Sequence, residues 1–161
     1  MKRIAGISLA VLLSLAGQSM AQSDKPDPRN AAAVQNCLKA AKDKPQGGEA
    51  CIGVVADPCL ESDDARSTAD MVKCSSREHA VWDAMLNRAY GRLRETLEPA
   101  QVTKLRDMQR AWIASRDKTC AFYWDFHQGT MAVPMAAYCN LRETARRALF
   151  LRQFLGDDDG R

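Results

Sequence analysis

Histidine is almost missing from this 161-residue chain, which has His79 and His127 and no others. A histidine-based metal centre or acid–base pair therefore has little material to draw on. An excess of charge of one sign is missing too. The whole chain carries a formal +3, and losing Lys2 and Arg3 with a leader takes its 23 basic residues to 21 against 20 acidic ones. So even a balance argues against nucleic acid or an anionic membrane as the partner, since both call for a concentrated basic face. No apolar run after the first residues is long enough and free enough of charge to span a bilayer, which takes about 20 residues. Gly47-Gly48 lacks the strand and the Lys-Ser/Thr context of a phosphate loop. No segment alternates apolar and polar residues over a strand length.

What is present begins with an export signal. Lys2 and Arg3 precede an apolar run from Ile4 to Ala16, and Ser19-Met20-Ala21 reads as a small-x-small cleavage site. Residues 1–21 are thus expected to be a signal peptide. The first cysteine is Cys37, too far on to carry a lipid anchor, so the expectation is a free periplasmic or secreted protein with no membrane anchor after cleavage. The remaining length of about 140 residues suits one domain.

The rest of the chain reads as helices. Asp27-Pro28 suits the start of a helix over about 28–43, with Pro28 at the first position, where its missing N–H costs nothing. A short helix at about 49–57, closed by Asp57-Pro58, and a loop at 60–67 follow. Ser75-x-x-Glu78 fits a capping box, and Trp82, Met85, Leu86, Ala89, Tyr90, Leu93 and Leu97 recur at three-to-four spacing. Glu98-Pro99 starts another helix, striped by Val102, Leu105, Met108 and Trp112, that runs to about 124. Gly129 and Pro134 bracket a loop, and a last helix runs from about Met135 to a stop at Gly156. The fold class predicted is all-α, a small antiparallel helical bundle stapled by disulfides.

Cys37, Cys51, Cys59, Cys74, Cys120 and Cys139 are expected to be oxidised in an exported chain of this size, and their spacing leaves most pairings open. Zinc fits less well. Its sites favour close C-x₂₋₄-C pairs, whereas the nearest cysteines here are Cys51 and Cys59, so no metal and no cofactor is expected. Cys120 lies late in one helix and Cys139 early in the next, where an antiparallel hairpin brings the ends together. Their pairing is predicted, and closing a loop of that size stabilises by roughly 3 kcal/mol on the chain-entropy account.

From Cys59 onward the motifs fall into a known order: Thr68-x-x-Met71-x-x-Cys74, then Asp83-x-x-Leu86-Asn87-x-x-Tyr90, then Gln109-x-x-Trp112-x-x-x-Arg116-Asp117-x-x-Cys120, then Cys139 followed by Thr144 and Arg147. This pattern resembles the lysozyme inhibitor LprI-like family of small exported bacterial proteins, over about residues 59–155. The resemblance implies a helical bundle, the disulfides Cys59–Cys74 and Cys120–Cys139, and lysozyme as a possible protein partner. Cys37 is then left for Cys51. The division that results is a signal peptide at 1–21, an N-terminal helical extension at 22–58, the LprI-like helical domain at 59–156 and an acidic tail at 157–161.

Gln109, Trp112, Arg116 and Cys120 share one helical face, with Asp117 beside it; Asp83, Leu86, Asn87 and Tyr90 form another. Packing and hydrogen bonding explain both faces better than ligand contact does. No serine or cysteine has a base nearby in sequence, so an enzyme is not expected. Phe122-Tyr123-Trp124-Asp125-Phe126-His127 puts four aromatics just before a loop, and they cannot all face one core. Tyr123, Trp124, Phe126 and His127 are therefore the candidate partner-binding residues. The function expected is binding and occlusion of lysozyme-type muramidases; the alternative is a periplasmic interaction or stress module with another partner.

Overall fold

A computed structural model describes residues 25–44 and 47–156. The signal-peptide and tail readings lie outside the described residues. Among those described there are five α-helices and no strand: α1 (Pro28–Ala40), α2 (Ala56–Leu60), α3 (Thr68–Thr96), α4 (Pro99–His127) and α5 (Ala132–Arg152), with a 3₁₀ turn at Gly47–Cys51. The all-α, disulfide-stapled class is what the helical periodicity called for.

Local chemistry sets the boundaries. The Asp27 side chain accepts from the Arg29 N–H at 2.8 Å and caps α1, whose first residue is Pro28. At the start of α4, the Glu98 side chain caps the N3 amide while its own N–H donates to Gln101 Oε1 at 3.1 Å. Pro99 disfavours helical backbone at Glu98, so α3 ends before it and the chain turns within two residues into α4. Gln128, at φ 44°, closes α4 in the left-handed region.

Three expectations need correcting. Ser75 and Glu78 do not begin a helix: α3 starts at Thr68, capped by the Ser67 hydroxyl accepting from the Asp70 N–H at 3.1 Å. Ser75 instead donates to the Met71 carbonyl within the helix, and Glu78 points into the core. Pro58 and Pro134 close nothing; each is the third residue of a helix, where the amide has no intrahelical partner to lose. The last helix ends at Arg152, ahead of Gly156.

Short links make α3, α4 and α5 run up, down and up, so α3 and α5 are parallel. Trp82, Leu86, Ala89 and Leu93 of α3 pack on Leu141, Ala145, Ala148 and Leu151 of α5, all buried. The segment before α3 completes this core with Val34, Cys51 and Ala56. Its anchor is Glu78, which is 0% exposed. One carboxylate oxygen accepts from the Gly53 N–H at 2.7 Å and the Trp82 Nε1–H at 2.8 Å, the other from the Val55 and Ala56 N–H groups at 2.8 Å each. Gly53 permits this turn: its φ is +102°, and a Cβ there would overlap the Asp57 carboxylate. Disulfides join Cys37 to Cys51, Cys59 to Cys74 and Cys120 to Cys139, with Cα–Cα separations of 5.7, 5.6 and 5.5 Å.

Candidate functional site

Gln109, Trp112, Arg116, Thr144 and Arg147 of the motifs converge where α3, α4 and α5 meet. Gln109, Trp112, Arg116 and Cys120 form the face of α4 turned to α5, as their spacing along a helix requires. Arg147 reaches them from α5, its Nε donating to Gln109 Oε1 at 2.8 Å. Its guanidinium lies 5.5 Å from the Trp112 ring centre and 5.1 Å from that of Phe150, while Arg116 sits 5.0 Å from Trp112. Half-buried Trp112 is thus held by two cations, each drawn to the electron-rich ring face. Arg116 also donates through Nε and Nη2 to Asp117 Oδ1, at 3.0 and 2.8 Å.

From α3, His79 Nε2 lies 3.2 Å from the hydroxyl of Thr144, which is completely buried. Burial pushes the His79 imidazole below its ordinary value of 6.5; nearby Asp83 opposes this and Arg116 adds to it. Asn87 donates to Asp83 at 2.9 Å, one turn along. Ser76, His79, Arg116, Ala137 and Asn140 line a shallow groove of about 200 Å³ between the three helices. The remaining motif residues lie elsewhere. Thr68 opens α3, Met71 is half-buried beneath the Ser75 hydroxyl, Leu86 is in the core, and Tyr90 packs against that core under Arg94.

The aromatic segment takes up the last two turns of α4, beyond the Cys120–Cys139 disulfide. Phe122 is 62% exposed, Trp124 50% and Phe126 70%. Phe122 and Phe126 approach to 6.2 Å between ring centres, one turn apart. His127 stacks on Tyr123 at 5.8 Å and meets the edge of Phe126 at 4.9 Å. Met131, in the turn to α5, is also exposed. Tyr123 alone of the four aromatics turns inward, against a second groove bounded by Met131, Met135 and Tyr138. The Tyr138 hydroxyl donates to Asp57 Oδ1 at 2.7 Å, and burial together with that bond pushes its pKa up to about 12.

From the sequence, Glu78 reads only as a capping residue and Asp57 only as the close of a short helix, and neither they nor Tyr138 and Arg142 are among the candidate site residues. A weak signal existed for Glu78, four residues before Trp82 and so on the same face of α3. The Tyr138–Asp57 bond spans 81 residues and leaves no local trace. Chemically, the junction is a set of packing and hydrogen-bonding contacts in which Arg147 Nη2 alone is buried without a hydrogen-bond partner. The Thr144 hydroxyl beside His79 is sealed from substrate, and every cysteine is in a disulfide. Among the described residues, no group of three or more histidine, cysteine, aspartate or glutamate side chains is placed to hold a metal ion, and no helix is long and apolar enough to cross a membrane.

These features define a small disulfide-stapled helical scaffold that displays an aromatic surface at the corner between two helices. The chain belongs to the lysozyme inhibitor LprI family, whose model matches residues 59–151. Comparison with curated proteins and with solved structures finds no match.

Proposed function

We propose that this protein is an exported, non-catalytic inhibitor that binds lysozyme-type muramidases and occludes their substrate cleft, using the α4 corner formed by Tyr123, Trp124, Phe126 and His127. Membership of an inhibitor family points to the target. The observation that carries the surface is the run of three large aromatics, half or more exposed, on two consecutive helical turns. Burying such rings in a partner's cleft removes a large apolar area from water, and aromatic anchors of this kind dominate interface energetics. No cofactor takes part, and the site of action is the periplasm or the surroundings of the cell.

The near balance of charge bears on rate. A basic muramidase gains no long-range attraction from it, so association is expected in the unsteered range of about 10⁵–10⁶ M⁻¹s⁻¹. The same balance favours a second reading, in which the corner serves another envelope protein. A lysis assay separates the two: purified mature protein should suppress muramidase activity, and undiminished lysis at large molar excess would remove the first reading. Replacing Trp124 and Phe126 together by alanine should weaken inhibition at least about 30-fold, the effect of a 2 kcal/mol hot spot, and leave the unfolding midpoint in place.

A further inference from the structure

Beside the exposed aromatics at the end of α4 lies a groove of about 270 Å³, its apolar walls formed by Leu60, Tyr123, Met131 and Met135. Arg142 lines it as well and makes no ion pair among the described residues. Its Nε is buried with no hydrogen-bond partner, an uncommon state for a guanidinium. Two carboxylates are close enough to act, with Arg142, on the Tyr138 hydroxyl, yet neither neutralises Arg142 by a direct bond. Asp57 Oδ1 accepts from Tyr138, and both Glu78 oxygens are filled by four N–H donors. By contrast, Arg146, four residues along α5, pairs with Glu49 and Glu143.

We propose that this groove receives an acidic apolar dipeptide element of the protein partner: an aliphatic or aromatic side chain between Met131 and Met135, and a neighbouring aspartate or glutamate on Arg142. Charge complementarity selects this occupant, because a cation on an apolar wall favours a carboxylate and disfavours a basic segment. The volume falls below that of drug-sized pockets and suits one or two side chains. Tyr123 lines the groove and stacks on His127 of the candidate surface, so groove and surface adjoin. The inference rests on reading this corner as the partner surface, and it specifies the chemistry of what binds there.

The test is an NMR titration of the mature protein with acetyl-Leu-Asp-amide and, in parallel, acetyl-Leu-Asn-amide. The acidic peptide should give saturable shifts at the Met131 and Met135 methyl groups, with at least tenfold weaker binding of its neutral analogue. Arg142→Gln should abolish that preference. Equal binding of the two peptides, no shift at these methyls, or a preference that survives in Arg142→Gln overturns the proposal. Because the probe is a peptide, a positive titration alongside a negative lysis assay would keep the groove and discard the muramidase.

Discussion

Replacing Glu78 by glutamine changes almost no volume and removes one of two acceptor oxygens from a site where four N–H groups converge. Whichever way the amide turns, its NH₂ faces two donors: Val55 and Ala56 N–H in one orientation, Gly53 N–H and the Trp82 indole in the other. Each buried donor left without an acceptor costs about 1–3 kcal/mol, and the two surviving bonds lose their charge assistance. The substitution should therefore destabilise by about 3–6 kcal/mol, a large share of the roughly 5–15 kcal/mol that holds a domain together. For a chain of this length, with about 3–5 °C lost per kcal/mol, the thermal midpoint should fall by at least about 10 °C. Guanidinium unfolding followed by tryptophan fluorescence measures the change. Hydrogen exchange at residues 53–56 should show that segment losing protection first. A loss below about 1 kcal/mol would refute the account, since it would mean the four donors find acceptors without this carboxylate.

Other consequences can be checked separately. Replacing Cys120 and Cys139 by serine opens a loop of 19 residues' separation and should cost about 3 kcal/mol in chemical denaturation. For His79, whose folded value lies below 6.5, the unfolded chain takes up the proton first as pH falls. The stability conferred is therefore complete above about pH 6.5 and declines below it, and His79→Asn should flatten the dependence of unfolding free energy on pH between about 7 and 5. Tyr138→Phe leaves Asp57 Oδ1 without its donor in a half-buried setting and should cost about 1–2 kcal/mol, measured by urea unfolding.

The fold class was readable from sequence because α3 and α5 bury continuous stripes at helical spacing, and Pro28 and Glu98-Pro99 mark the starts of α1 and α4 through purely local chemistry. Ser75-x-x-Glu78 misled for an instructive reason. A serine three residues ahead of a glutamate is compatible with a capping box and equally with a helix interior, and the partners that decide it, Gly53 to Ala56, lie 22 to 25 residues upstream. Pro58 and Pro134 misled through position: a proline in a first helical turn and one after a helix end look alike until the helix is placed. At the candidate site, spacing put Gln109, Trp112 and Arg116 on one face. It did not supply Arg147, 38 residues from Gln109, as the side chain that face meets.

The way α4 is held bears most on what the protein does. Along its 29 residues, only Leu105, Gln109 and Cys120 are buried and the last to pack on the core is Trp112, so the core accounts for its first half and for none of the turns beyond the disulfide. Those last turns carry Phe122, Trp124 and Phe126, whose side chains add little to folding because they remain largely in water. Cys120 fixes them all the same: bonded to Cys139 in the first half of α5, it pins α4 two residues before the first exposed ring. A surface held this way loses little freedom on meeting a partner, so more of the apolar burial survives as affinity. The same aromatics on a frayed helix end would give part of that gain back as ordering entropy. Folding does not require rings there; the proposed binding surface does.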